Sequence, residues 1–175
     1  ATATADEYPA GRLRADVSGD RDESYVASGV VTLTSTPGGQ MQIQLRASNA
    51  ASGSPTATTL VVDCYEDEEP SDGDTWSDTI GDLSDAQTGL QCWAWYDLLA
   101  TDPVEGENAH FVTDGDNTGQ LGANGGYTAP LDDGTPGELR GDLRFDAIDS
   151  EGAQIHISDG SFDLSLDPEP DEEDL

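Results

Sequence analysis

A period-two alternation of apolar and polar residues constrains this chain more than any other feature. In the segment QMQIQLRA, the apolar side chains of Met41, Ile43 and Leu45 alternate with glutamines and an arginine. Successive side chains of a β-strand point to opposite faces, so this spacing predicts a strand with one buried face. The segment ELRGDLRFDA, at 138–147, repeats the pattern. Helical periodicity is almost absent from the chain.

Seven further segments have the composition or alternation of strands, and they bring the expected number to about nine. They are GRLRADVS, SYVASGVVTLT, TTLVVDCY, LQCWAWYD, HFVT, AQIHIS and SFDLSLD. We expect the last two to form a hairpin with Asp159 and Gly160 at its turn. One segment, WSDTIGDLSDAQTG, has helical spacing but is interrupted by Gly81. The sequence therefore predicts an all-β fold, a single antiparallel β-barrel or jelly-roll sandwich of about eight or nine strands with at most one short helix.

The length of 175 residues suits one domain with a real core. We expect residues 1–167 to form a single β-barrel domain and residues 168–175 to be an acidic, exposed C-terminal tail. No apolar run reaches the length of about 20 residues that a membrane-spanning helix needs. The first residues, ATATADEYPAGR, do not form a signal peptide as they stand. A signal already removed and a start at Met-Ala both remain open.

The charge of the chain indicates the environment in which it works. Asp and Glu number 37 against six arginines and no lysine, which gives a net charge of −31. In ordinary cytoplasm the carboxylates of such a chain repel one another and destabilise a compact fold. At molar salt the Debye length falls to about 3 Å, and this repulsion is largely screened. The composition favours a protein of a salt-saturated organism or of its virus. Six scattered arginines also cannot neutralise the phosphates of a nucleic acid against so many acids, so we expect no nucleic-acid partner.

Catalytic motifs are missing from the sequence. Nucleophilic catalysis needs a nucleophile beside a base, and the two histidines, His110 and His156, lie in strand patterns without a nucleophile elbow. No ligand pairs at short spacing indicate a zinc site. With so many carboxylates, no two can be chosen as a glycosidase pair. We therefore expect a protein that is not an enzyme and that has no cofactor, structural cations apart.

One loop resembles the start of a calcium site. In TDGDNTGQLGANGG, at 113–126, Asp114, Asp116 and Gly119 match an EF-hand loop, but Gly125 stands where the bidentate glutamate belongs. Three Asp-x-Asp pairs in the chain are about what random placement of its aspartates would produce. An EF-hand is thus disfavoured, and the glycines predict a long mobile turn. A looser cation site at Asp114 and Asp116, at a boundary between subunits, stays open.

Two further pairs of residues are candidate sites. Cys64 and Cys92 both lie in predicted strands, where they form either one disulfide or two buried thiols. Trp93 and Trp95 alternate onto one face of their strand. That face suits either a contact between subunits or an aromatic platform for a sugar. The tripeptide Arg-Gly-Asp at 140–142 lies inside a strand pattern, which disfavours an adhesive role.

The whole chain is acidic and free of lysine, is rich in strand patterns from AGRLRADVS to DGSFDLSLD, and has no catalytic motif. In these respects it resembles the small major capsid protein of halophilic archaeal icosahedral viruses with an internal membrane. The resemblance implies a single jelly-roll barrel standing upright in the shell of the virion, assembled in the cytoplasm of a haloarchaeon. It implies capsomers built with further copies and with a related, larger capsid protein. The membrane lies between shell and genome, so the resemblance implies at most an indirect contact with it.

Three other classes of protein fit the same residues, and an extracellular hydrolase is the least favoured of them. A decoration, turret or tail protein of a haloarchaeal tailed virus would share this composition. A secreted, extracellular carbohydrate-binding or adhesive β-sandwich domain would need a removed signal peptide and an exposed tryptophan platform.

Overall fold

The computed structural model of the chain describes residues 11–20, 22–35, 39, 41–49, 56–66, 71–75, 77–81, 92–100, 104, 108–114, 118–131, 133 and 136–167. These residues form ten strands and, within those ranges, no helix. The strands are β1 (Arg12–Gly19), β2 (Glu23–Ser35), β3 (Met41–Asn49), β4 (Thr56–Glu66), β5 (Ser77–Ile80), β6 (Cys92–Ala100), β7 (Ala109–Val112), β8 (Gly119–Thr128), β9 (Glu138–Ile148) and β10 (Gln154–Asp167).

The strands close into a mixed barrel of nine strands. One antiparallel series runs β1-β2-β3-β4-β6, and a second runs β8-β9-β10-β1. The short β5 joins the two series, antiparallel to β8 and parallel to β6. A second parallel pairing, between β10 and β2, closes one end of the barrel. The remaining strand, β7, pairs with β6 and contacts β9 at a single position.

This architecture confirms the prediction of an all-β barrel. Strands that are neighbours in sequence are mostly neighbours in the barrel, as in a meander. Of the two forms that the sequence left open, the barrel is therefore the one found, without the crossing connections of a jelly roll. Among the described residues no helix is long and apolar enough to cross a bilayer.

The interior of the barrel is filled by apolar side chains from every strand. Ile43 and Leu45 of β3 and Leu143 and Phe145 of β9 are buried, as the alternation predicts. Each fully buried side chain of this size stabilises the fold by about 1.5–3 kcal/mol relative to its exposed state. The barrel therefore has a packed core, and its remaining chemistry lies on its outer surface.

The hairpin predicted at Asp159 and Gly160 is wrong, because residues 154–167 form one strand. The register against β9 shifts between Ile157 and Gly160, and Asp159 has a φ of 50°, as at a β-bulge. Inward positions are odd-numbered before the bulge, at Ile155 and Ile157, and even-numbered after it, from Phe162. A change of parity at Asp-Gly therefore marks the extra residue of a bulge rather than a turn.

The mobile turn predicted at 113–126 is also wrong over most of its length, because Gly119–Thr128 form β8. Glycine hides the alternation, yet Leu121 and Ala123 are fully buried. Gly119 lies so close to β9 that an added Cβ would stand 2.1 Å from the carbonyl oxygen of Arg144. The glycines are therefore required for strand pairing, and they do not indicate a flexible loop.

The remaining expectations fall partly outside the described residues. Of the segment with helical spacing, Ser77–Ile80 form β5, while residues 76 and 82–89 are not described. The barrel continues to Asp167, where β10 ends. The expected acidic tail, 168–175, and the first ten residues also lie outside the described ranges.

Candidate functional site

Trp93 and Trp95 lie on the outer face of β6, as the alternation predicts. Cys92, Ala94 and Tyr96 point into the barrel and are at most 1% exposed, whereas the two tryptophans are half-buried. The two indoles lie outside the packed core, so their partial burial is due to residues of neighbouring strands.

An apolar surface forms around the tryptophans from residues on three neighbouring strands. Tyr65 of β4 stacks on Trp93, with ring centroids 5.4 Å apart and an interplanar angle of 25°. Val61 lies opposite Trp95, and Trp95 lies opposite Val112 of β7. Val61 is only 1% exposed although it faces outward. We call these five residues, Val61, Tyr65, Trp93, Trp95 and Val112, the outer aromatic patch.

A shallow cleft opens between β6 and β7 within the patch. Its volume is about 240 Å³. The lining is almost wholly apolar, with two indoles, one imidazole and aliphatic groups from Trp93, Ala94, Trp95, His110, Val112 and Thr113. A cleft of this size and chemistry can take one aliphatic or aromatic side chain, or the apolar face of one sugar ring.

A buried carboxylate lies beside the patch. Asp63 is opposite Trp93 in the register of β4 and β6 and is 4% exposed, although it too faces outward. The amide nitrogen Nε2 of Gln42 donates a hydrogen bond of 2.9 Å to its Oδ1. Burial raises the pKa of Asp63, and the amide groups of Gln42 and Gln44 oppose this by stabilising the anion. The patch thus carries one charge that is shielded from water.

Both histidines of the chain face an aspartate on a neighbouring strand. Nδ1 of His110 contacts Oδ1 of Asp97, directly opposite in the register of β7 and β6. Nδ1 of His156 lies 2.7 Å from Oδ1 of Asp146, directly opposite in the register of β10 and β9. The side chains are exposed, and no nucleophile takes part in the contacts described.

Hydrogen bonds of Thr113 and Thr118 hold the chain around β7 and β8. Oγ1 of Thr113 donates to the carbonyl oxygen of Gly81 at 2.6 Å and accepts from the backbone amide of Ala94 at 3.2 Å. Oγ1 of Thr118 donates to the carbonyl oxygen of Ile80 at 3.1 Å. The two bonds of Thr113 join the ends of β5 and β7 to β6 and anchor the floor of the cleft to the barrel, whereas the bond of Thr118 joins the start of β8 to β5.

Cys64 and Cys92 form a disulfide in the structure. Their Cα atoms lie 4.1 Å apart at directly opposite positions of β4 and β6. Both side chains point into the core and are at most 1% exposed. The bridge ties together the two strands whose outer faces carry Tyr65, Trp93 and Trp95.

The candidate cation site is only half described. Asp114 is exposed at the end of β7, and Asp116 lies outside the described residues. Within the described ranges, no group of three or more His, Cys, Asp or Glu side chains is placed to hold a metal ion. Among the described residues, Asp114 is therefore not part of a three-ligand cluster.

A second, larger groove of about 480 Å³ lies near the bulges of β8 and β10. Its polar lining includes Gln120, Asn124, Asp142, Arg144 and Asp159. Nδ2 of Asn124 donates a hydrogen bond of 2.8 Å to Asp142. The groove contains no nucleophile with an activating base, and we find no chemistry that it would perform.

The tripeptide Arg140-Gly141-Asp142 is part of the middle of β9, so it is not displayed at a loop tip. Gly141 is buried, and a Cβ added there would lie 1.8 Å from the carbonyl oxygen of Gly122. The glycine is thus explained by strand packing.

Trp93 and Trp95 were predicted from the sequence as site residues, whereas Tyr65 and Asp63 were not. The register of β4 against β6 brings these residues to the tryptophans, and an unaligned sequence does not define that register. An outward aspartate within the apolar run TTLVVDCY was the signal that could have pointed to a covered outer face.

Comparison with protein-family models, with curated proteins and with solved structures found no match to this chain.

Proposed function

We propose that this chain is a structural virion protein, a major capsid protein that builds the icosahedral shell of a halophilic archaeal virus. The observation that carries the proposal is the outer aromatic patch on a barrel whose interior is packed. A barrel with a filled core works through its outside, and an aromatic surface beside a shielded carboxylate suits permanent contact with a neighbouring subunit.

Composition supports the same proposal. At molar salt, long-range attraction between charges is screened, so subunits associate through apolar and hydrogen-bonded contacts. The disulfide between Cys64 and Cys92 suits a particle that spends part of its life outside a reducing cytoplasm. Connectivity lends no support, since sequential strands pair in this barrel whereas the resemblance implies a jelly roll.

Quantitative analysis of purified virions tests the proposal. Particles are isolated at molar salt, and the copy number of this chain per particle is measured by mass spectrometry with labelled peptides. A shell protein occurs in hundreds of copies and appears as barrels in a cryo-electron microscopy map. A few copies per particle would favour a decoration, turret or tail protein, and absence from particles would refute both.

A second candidate function is extracellular carbohydrate binding. The stacked pair Tyr65 and Trp93 and the cleft beside Trp95 favour it, because aromatic faces stack on sugar rings. Titration with soluble oligosaccharides at molar salt, followed by tryptophan fluorescence, tests it. Saturable quenching that Trp95→Ala abolishes would support sugar binding. Unchanged fluorescence with every sugar class would refute it.

A further inference from the structure

Acidic residues are absent from one long segment of this acid-rich chain. Between Glu23 and Asp63, residues 24–62 contain no aspartate and no glutamate. The whole chain has 37 acids in 175 residues, so a segment of 39 residues would carry about eight at that average. Carboxylates are therefore excluded from a particular part of the molecule.

The segment folds into three neighbouring strands. It supplies nearly all of β2, all of β3 and β4 as far as Val62, which pair in that order. Most outward residues of β2 are exposed, and they include Val26 and Val30, at 38% and 39% exposure. We call the outward-facing residues of these three strands, within 24–62, the acid-free wall. Its residues are small polar groups, glutamines, valines and one arginine, Arg46.

Some other strands of the barrel differ from this wall, although β7 and β8 also carry no acid. β9 carries Glu138, Asp142 and Asp146 on its outer face, and these residues are exposed or half-exposed. Carboxylates are thus compatible with an outward position in this barrel. Their absence from three adjacent strands needs a cause other than strand formation.

The acid-free wall continues into the outer aromatic patch. In the register of the sheet, Val30 lies opposite Arg46, Arg46 opposite Val61, and Val61 opposite Trp95. Towards β6, the next acids along the surface are Asp63, which is buried, and Asp97, which contacts His110. Towards β1, the exposed Asp16 lies opposite Ser24 and marks the edge of the wall. Wall and patch therefore form one surface of low charge.

A surface of low charge is what two strongly charged molecules need in order to touch. Each copy has a net charge of −31, and molar salt screens repulsion only beyond about 3 Å. Carboxylates brought into direct contact would still lose their hydration and repel one another. Without bridging cations, two copies can therefore meet most closely where carboxylates are missing. The identical wall on each copy satisfies this condition on both sides at once, as in a twofold contact.

The dimensions suit such a contact. Four strands, β2, β3, β4 and β6, at about 4.8 Å spacing, and seven residues at about 3.4 Å, span roughly 20 by 25 Å. Measured along the curved wall, this area is about 500 Å², against about 800 Å² of accessible surface on one side of a standard protein interface. Because the wall of a closed barrel is convex, close contact is concentrated on its central strands.

We propose that the acid-free wall, with the outer aromatic patch at its edge, is covered by the same wall of a second copy of this chain. The inference rests on the proposed function to the extent that the chain works by association. Val26 and Val30 supply exposed apolar contacts, and the cleft beside Trp95 can receive an apolar side chain from the other copy. A different coat protein and a lipid surface are the competing occupants.

The test is the association state of the purified, full-length chain at molar NaCl. Sedimentation velocity is measured over a concentration series for wild type, for Val30→Glu and for Gln154→Glu. Both variants add one carboxylate at an exposed outer position, but Gln154 lies on β10, away from the wall. We expect a concentration-dependent dimer or larger oligomer, with a dissociation constant that Val30→Glu raises at least about tenfold and Gln154→Glu leaves unchanged.

Two results would overturn this inference. A wild-type chain that stays monomeric at every concentration would show that something other than a second copy covers the wall. Equal weakening in both variants would show that total charge, and not the wall, controls association. Neither result bears on whether the chain occurs in virions, and its absence from virions would leave a wall-to-wall dimer intact, so the two proposals fail separately.

Discussion

Asp63 faces Trp93 across the pairing of β4 and β6, and it is a carboxylate on the outside of a barrel that is nonetheless 4% exposed. Tyr65 lies two residues further along β4 and stacks on the same indole. The group accepts a hydrogen bond from Gln42. This arrangement places one shielded charge beside the surface that we assign to subunit contact, and it makes stability depend on pH.

We expect Asp63→Asn to stabilise the isolated protein at neutral pH. Burial raises the folded-state pKa of Asp63 above its unfolded value, so ionisation disfavours the folded state. This cost is absent below the unfolded pKa, near 4, grows between the two pKa values and is complete above the folded one. The melting temperature should rise by a few degrees at pH 7, since about 1 kcal/mol corresponds to about 2–4 °C in a domain of this size.

The matched control is Asp16→Asn, which removes the same charge from an exposed position on β1. Thermal unfolding of both variants is followed by circular dichroism between pH 4 and pH 7. A stabilisation of equal size in both variants would assign the effect to net charge. A stabilisation by Asp63→Asn that did not shrink at low pH would contradict the role of burial.

Removal of the disulfide should destabilise the barrel strongly. The bridge joins residues 28 positions apart, for which the chain-entropy model gives about 3–4 kcal/mol. The double variant Cys64→Ala, Cys92→Ala should therefore unfold at a markedly lower urea concentration than wild type. Intact mass with and without reductant checks the bridge itself, and an unchanged mass would show that it is not formed.

Gly141→Ala should prevent the close pairing of β8 and β9. The added Cβ would lie 1.8 Å from the carbonyl oxygen of Gly122, a distance that forces the backbones apart. Overpacking typically costs about 1–3 kcal/mol and occasionally more, and a clash with backbone belongs at the upper end of that range. Gly152→Ala is the comparison, because an added Cβ meets open space there and only the φ of 91° opposes it, at about 1 kcal/mol. Equal urea midpoints for the two variants would contradict the steric explanation.

Strands were predictable where large apolar side chains alternate with polar ones. They were not predictable where glycines interrupt that alternation. The alternation of Met41, Ile43 and Leu45 predicts β3 directly. The sequence of β8 instead predicts a turn, because glycine has no side chain to show which face is buried. The bulge at Asp159 has the composition of a turn, and only the change of parity in the flanking apolar residues distinguishes the two.

The candidate site was predictable to the same limited extent. The outward position of Trp93 and Trp95 follows from one strand alone. The stacking of Tyr65, the burial of Asp63 and the pairing of Cys64 with Cys92 depend on the register between strands, which is set by long-range pairing.

The cation hypothesis at Asp114 and Asp116 yields its own prediction. If cations hold these carboxylates at a subunit boundary, Asp114→Asn with Asp116→Asn should reduce the concentration of divalent ions needed for assembly. Light scattering of assembling protein over a magnesium series measures this concentration. An unchanged magnesium and salt dependence would remove the site.

The central claim is that like-charged barrels associate through surfaces of low charge and only while salt screens their repulsion. The most direct measurement is dialysis of purified particles from molar NaCl to about 0.1 M, where the Debye length reaches about 10 Å, without divalent ions. We predict that this chain is then released from the particles, as detected by sedimentation and by electron microscopy. Particles that keep the full complement of this chain at low salt would contradict the account.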